Sequence, residues 1–254
     1  RYPARQFQSM ISNAKNELLG PQDYLNATSN PFEQVVADVY SVYQQRLIRA
    51  NAMDFDDLIL KTVEVLQRYP EAKARFRSRF RHVLVDEYQD TNHAQYILVK
   101  ELVGSDLEGQ APAELCVVGD ADQSIYGFRG ATIRNILQFE LDYPNARTVL
   151  LEQNYRSTQN ILNAANAVIT KNESRKEKNL WSDAGAGSPL TGYVAESEHD
   201  EANFIADEIR SLQREGVSTP GDTAIFYRTN AQSRVFEEVF MRNALPYKVV
   251  GGLR

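Results

Sequence analysis

The stretch HVLVDEYQDT, residues His82–Thr91, decides how the chain is read. Three apolar residues, Val83, Leu84 and Val85, lead directly into two adjacent carboxylates, Asp86 and Glu87. A short β-branched run of this kind reads as a strand. Its carboxyl end is where open parallel sheets bind ligands. Two neighbouring carboxylates repel, and a hard cation relieves the repulsion. One carboxylate then holds Mg²⁺ and the other orients and deprotonates a water. A helix start, where Asp and Glu are also favoured, is the competing reading of the same residues.

Working outward, the first third has a helical period. NPFEQVVADVYSVYQQRLIRA places Phe32, Val35, Val36, Val39, Tyr40, Tyr43 and Leu47 at three- and four-residue steps, with Asn30 and Pro31 as cap and first turn. MDFDDLILKTVEVLQRYP continues the pattern until Pro70. Beyond it, short apolar runs alternate with helical segments. The runs are His82–Asp86, Leu115–Asp120, Thr148–Leu151, Leu190–Val194, Thr223–Tyr227 and Tyr247–Val250. The helices are predicted at Asn92–Val103, Thr132–Leu141, Ser157–Lys171, Asp200–Glu215 and Ala231–Asn243. This alternation predicts an α/β fold with parallel sheets and helical crossovers. The polar stretch KNESRKEKNLWSDAGAGSP reads as a link between two sheets or a long surface loop.

A second run, in LCVVGDADQSIYGFRGA, also ends in an acid, Asp120, and Gln123, Tyr126, Phe128 and Arg129 follow. Aromatic rings on a glycine-bearing loop either plug the core or stack on bases of single-stranded nucleic acid, with Arg129 on a phosphate. A third run, in TVLLEQNYRST, ends with Glu152, Asn154, Tyr155 and Arg156, and Ser157 reads as a helix cap. An arginine beside a nucleotide neutralises charge developing in phosphoryl transfer; a surface arginine, or one paired with Glu152, is the alternative. Three charged loops on one sheet edge make a site more compelling than any of them alone.

Other patterns carry less. GSDLEGQA, Gly104–Ala111, has the glycine spacing of a phosphate-binding loop, but Gln110 and Ala111 replace the required Lys and Ser/Thr. It also follows a helix and precedes a strand, the reverse of the required order. Arg75, Arg77, Arg79 and Arg81 alternate with Phe76, Ser78 and Phe80 and read as a solvated surface, with a nucleic-acid contact as the alternative. The histidines His82, His93 and His199 lack metal-site spacing. The asparagines in NAT and NES, Asn26 and Asn172, match a glycosylation pattern by chance. A net charge of −6 over 254 residues excludes an overall basic field, so nucleic-acid binding would need a local patch. The one cysteine, Cys116, excludes an internal disulfide and fits a reducing compartment.

Four stretches, VDEYQDTN, VVGDADQSIYGFRGA, LEQNYRST and AIFYRTNAQSR, resemble in order the motifs of superfamily 1 DNA helicases of the UvrD/PcrA/Rep type. AKNELL, MDFDDLI and PYKVVGGLR extend the resemblance over essentially the whole chain. It implies RecA-like, P-loop NTPase sheets in two partial motor domains plus a helical insertion. Residues 1–52 would end the helical 1B subdomain, 53–152 would complete domain 1A, and 153–254 would begin domain 2A.

The resemblance also implies roles. Asp86 would hold the Mg²⁺ of MgATP, and Glu87 would activate water. Gln123 would sense the γ-phosphate, Tyr155 would pack on adenine, and Arg156 would serve as an arginine finger. Tyr126, Phe128 and Arg129 would contact single-stranded DNA, as would Arg228 and Asn230. The family often carries Trp where this chain has Phe128. The implied activity is ATP-dependent 3′-to-5′ translocation and unwinding at single-strand/duplex junctions, in repair or replication, in the cytoplasm at the nucleoid. A helicase–nuclease subunit of the RecB/AddA type and a non-catalytic DNA-binding fragment are the alternatives. The phosphate loop, the adenine-recognising Gln and the late motifs are expected outside this chain, which reads as a segment of a longer protein. Alone, it is expected to be inactive.

Overall fold

The computed structural model describes residues 2–105, 111–127, 131–137, 139–172 and 177–250. They form two compact units, Arg1–Gly185 and Ala186–Arg254.

The first unit opens with α1 (Ala4–Asn16), α2 (Pro21–Ala27), α3 (Pro31–Arg49), α4 (Phe55–Arg68) and α5 (Pro70–Arg79). Local chemistry sets these ends. The Asn30 side chain accepts from the Glu33 amide at 3.0 Å, and Pro31 occupies the first turn of α3. Asp54 and Asp57 cap α4 reciprocally, at 2.8 and 3.4 Å. Pro70 ends α4 and begins a further helix, α5, that the sequence reading had not separated.

The apolar stripes of α1 and α3 meet through Ile11, Ala14, Val36 and Tyr40, with Phe7, Met10 and Phe32 around them. Beside this core lies a buried ion cluster. The fully buried Lys15 ammonium sits 2.7 Å from Asp54 and 2.9 Å from the equally buried Asp57. It also lies 5.2 Å from the Tyr43 ring centroid. Burial pushes the Asp54 carboxyl up, but Lys15, the Asp57 amide and the Tyr43 hydroxyl outweigh it and hold the group below its usual range.

The chain then forms β1 (His82–Val85), α6 (His93–Val103) and β2 (Glu114–Val117). The strands pair in parallel with His82 opposite Glu114 and Val85 opposite Val117. This is a strand–helix–strand crossover, as the alternation predicts. Arg77 departs from the solvated reading. It is buried, and its Nε donates at 2.7 Å to the Glu101 carbonyl near the C-terminus of α6, where cations are favoured. Gly104 makes room for it: at φ +80°, a Cβ there would lie 2.9 Å from Arg77 Cζ.

Two short helical turns, α7 (Arg134–Leu137) and α8 (Phe139–Asp142), precede α9 (Gln159–Ile169). The second unit packs α10 (Glu198–Arg214) on α11 (Ser233–Arg242) through Ala202, Ala206, Ile209, Val239 and Phe240.

Four predicted strands are not formed. Residues 148–151, 190–194, 223–227 and 247–250 carry no strand ladder among the described residues. Val194 and Phe226 are 96% and 93% exposed. An apolar run becomes a strand only when a neighbour accepts and donates its backbone hydrogen bonds. In the second unit, residues 224–227 and 245–250 instead line an apolar cavity of about 790 Å³. The described architecture is therefore α/β, with helices dominant and one parallel strand pair.

Candidate functional site

The site is built where β1 and β2 end. Past Val85 the chain turns sharply: Glu87 adopts a left-handed conformation at φ 49°, ψ 43°. Such a backbone in a non-glycine residue costs about 1–3 kcal/mol and persists only when neighbours enforce it. Here they do. Asp86 Oδ1 accepts from the Glu87 amide at 2.9 Å, and the next residue's amide, that of Tyr88, donates to the Val118 carbonyl at 3.0 Å. Tyr88 is buried, meets Phe139 edge-on at 5.6 Å, and has its hydroxyl pKa pushed up by that burial. Residues 88–90 form a single 3₁₀ turn, so the acids end a strand and do not begin an α-helix.

Gln89 lies beneath the acids and is 1% exposed. Its Nε2 donates to Glu87 Oε2 at 2.7 Å, and its Oε1 accepts from the Asp120 amide at 2.9 Å. Asp120 Oδ2 in turn accepts from Gln123 Nε2 at 2.7 Å, while its Oδ1 accepts from the Asp122 amide at 2.9 Å. One chain of hydrogen bonds therefore joins Glu87 to Gln123. Lys178 supplies positive charge by pairing with Asp120 and, at 3.3 Å, with Asp122. The Asn135 amide binds the carbonyl and hydroxyl oxygens of Thr91, both at 3.1 Å, and fixes the end of the turn against α7.

Tyr126 is 36% exposed on the loop after Gln123. Phe128 and Arg129 lie outside the described residues. Tyr155 is 84% exposed, its hydroxyl donating to Gln153 Oε1 at 2.9 Å. Arg156 is exposed, with no side-chain ion pair among the described residues. The turn that presents it is organised by Asn154, whose Oδ1 accepts from the Arg156 and Ser157 amides at 3.0 and 2.8 Å. Ser157 does not cap α9; Thr158 occupies that position. Glu152 is not paired with Arg156, because its Oε1 accepts from the Asn179 amide at 2.8 Å.

The polar stretch after α9 packs back onto this motif. Trp181 donates to the Glu152 carbonyl at 3.0 Å and accepts from the Asn154 amide at 2.7 Å. A cavity of about 470 Å³ lies between Asp120–Gln123, the Ala164–Ile169 face of α9, and Lys178. Its size suits a small ligand.

The structure thus links Glu87, beside Asp86, to Gln123 through Gln89 and Asp120. Tyr155 and Arg156 stand on the loop leading into α9, the helix that borders the Gln123 loop. Arg228 and Asn230 are exposed in the second unit, beside a 3₁₀ turn that Thr229 and Gln232 cap at 2.9 Å. Sequence reasoning passed over Gln89, Lys178 and Asn154. Gln89 and Asn154 carried a signal, as polar residues inside quoted motifs. No three His, Cys, Asp or Glu side chains cluster as a metal cage among the described residues. Nucleotide-bound Mg²⁺ needs no such cage, because one or two carboxylates plus phosphates and water suffice. Asp86 fits that requirement. No described helix is long and apolar enough to cross a membrane.

Comparison with known proteins identifies the family of the chain. The UvrD/REP helicase N-terminal domain pattern matches residues 1–144, and the UvrD-like helicase C-terminal domain pattern matches residues 149–254. The ATP-dependent DNA helicase UvrD1 of Mycobacterium tuberculosis is 61% identical across 100% of this chain and 34% of its own length. UvrD1 of Mycobacterium leprae is 57% identical over 99% of this chain and 33% of its own. The ATP-dependent DNA helicase PcrA of Leuconostoc citreum is 52% identical, with 99% and 33% covered. The chain spans about a third of the length of these relatives. With both domain patterns matched in order across the chain, it belongs to the UvrD/REP helicase family.

Proposed function

We propose that the protein carrying this chain is an ATP-dependent 3′-to-5′ DNA helicase and translocase, acting on single-stranded DNA and single-strand/duplex junctions in repair or replication. The observation that carries the reading is the unbroken hydrogen-bond chain from Glu87 through Gln89 and Asp120 to Gln123. It gives a base and a phosphate-facing amide a mechanical connection, which coupling of hydrolysis to movement requires. Residues 1–52 are assigned to the end of a 1B-type helical subdomain, 53–152 to a RecA-like domain 1A and 153–254 to a domain 2A. The working location is the cytoplasm, at the nucleoid.

Bound MgATP supplies the phosphoanhydride bond whose hydrolysis drives the cycle. Asp86 holds the metal and Tyr155 covers the adenine. Glu87 orients a water and takes its proton. Its Oε2 is held by Gln89, which leaves Oε1 free among the described residues to act as the acceptor. Gln123 faces the γ-phosphate, and Arg156, an exposed cation, neutralises charge developing there. Tyr126, Phe128 and Arg129 contact single-stranded DNA, as do Arg228 and Asn230, by stacking and phosphate pairing.

Glu87→Gln in the full-length protein tests the base. ATP binding should survive, while DNA-stimulated turnover falls at least about 100-fold, the scale of general-base catalysis. Near-normal turnover would remove Glu87 from that role.

A further inference from the structure

The roles proposed for the motifs leave Gln89 without work, yet its placement is unusual. A buried primary amide must satisfy both of its ends. Those ends are fixed here by chemistry. A carboxylate only accepts, so Nε2 must face Glu87. A backbone N–H only donates, so Oε1 must face Asp120. A leucine can do neither, a glutamate can serve only Asp120, and an asparagine stem is a methylene too short.

Gly119 is the second half of the arrangement. A Cβ there would lie 2.6 Å from Gln89 Oε1 and 3.0 Å from the Tyr88 amide nitrogen. Atoms that close cannot coexist, so any side chain at 119 would displace the amide. Ser124 adds a weaker tie, its Oγ 3.4 Å from the Gln89 carbonyl.

We propose that Gln89 is a positioning residue that sets the aim of the Glu87 carboxylate according to the position of the Gly119–Gln123 loop, and that Gly119 is specific to this task. The proposal rests on the reading of Glu87 as base. Glu87 stands on a left-handed backbone that does not by itself orient its carboxylate. Gln89 holds one oxygen at 2.7 Å and reports, at its other end, the position of the Asp120 amide. A shift of the loop on contact with phosphate or DNA must move that amide, turn Gln89 and re-aim Glu87. The link passes through the buried Gln89 side chain, between partners that are themselves partly or fully exposed.

The test uses the full-length protein with E87Q, Q89L, Q89E, G119A and the double variant E87Q/Q89L, each checked for nucleotide binding and melting temperature. Loss of a partner that orients a reacting group typically costs about 10–100-fold. Q89L and G119A should each lose that much DNA-stimulated kcat, with KM for ATP within about twofold. G119A leaves the amide chemistry of Gln89 intact and displaces it, but it also crowds Ile136 and the Tyr88 amide at 3.0 Å, so its rate is read beside its melting temperature. Q89E keeps an acceptor for the Asp120 amide but sets a second carboxylate against Glu87, so it too should lose kcat with little change in KM. A purely structural residue would lower the melting temperature without separating kcat from KM.

The double variant should be no slower than E87Q alone, since aiming an absent base has no effect. If E87Q is inactive while Q89L, Q89E and G119A keep normal kcat, the positioning proposal falls and the base survives. If E87Q turns over normally, the base falls first. Additive losses in the double variant would also overturn the proposal.

Discussion

Replacing Lys15 by Met removes the cation that pairs with Asp54 and Asp57 while keeping most of the side-chain stem. The Asp57 carboxylate is then fully buried without a counter-ion. Its remaining partners are Gln44 Nε2, 3.2 Å from each oxygen, and the Asp54 amide at 3.4 Å. These donors are neutral and do not supply the charge that the ammonium brings to 2.9 Å. Asp54 suffers less, because its side chain is 24% exposed and still accepts from Tyr43 at 2.9 Å. Breaking a buried pair by removing one partner costs about 3–5 kcal/mol. Methionine limits the cavity contribution, so the expected loss for Lys15→Met is about 3–4 kcal/mol.

Urea unfolding followed by far-ultraviolet circular dichroism measures this loss. Adding Asp57→Asn should recover most of it, since a neutral amide keeps hydrogen bonds without a stranded charge. The deficit should be nearly independent of salt, unlike that of a surface pair. A Lys15→Met loss below about 1 kcal/mol, or no recovery in the double variant, would refute the reasoning.

Three further outcomes are expected. Tyr126→Ala and Phe128→Ala in the full-length protein should each weaken single-stranded DNA binding by about 1–3 kcal/mol in a fluorescence titration, the scale of one base stack; unchanged affinity would return either ring to core packing. Asp54 has its folded pKa lowered, so its stabilisation is present above about pH 4 and is lost as pH falls through the depressed native value; urea midpoints against pH should show an acid loss that Asp54→Asn removes. Tyr43 is pushed up to about 12, first by burial and then by Asp54, so its contribution is present below about pH 10 and disappears by about pH 12; Tyr43→Phe should flatten that alkaline limb.

What the sequence determined by itself is local. Asn30 with Glu33, Asp54 with Asp57, and Asn92 with Gln95 cap their helices through bonds spanning three residues. Those partners are legible because the chain cannot separate them. The strand ending in Asp86 and Glu87, its parallel partner ending before Asp120, and the order of the motifs were legible for the same reason: each is a contiguous run.

Tertiary structure decided what depends on distant partners. Lys15 meets Asp54 and Asp57 across about forty residues, and Arg77 leaves its expected solvated face for a helix end 24 residues away. Four apolar runs have strand composition but no ladder, because pairing needs a neighbour that composition does not supply. Residues 179–181 bind Glu152 and Asn154 where their polarity suggested only a link or a surface loop. At the site, the sequence placed the acids and Gln123 on neighbouring loops. Only folding buried Gln89 between them, because an amide's partners are chosen by where β1 and β2 end beside each other.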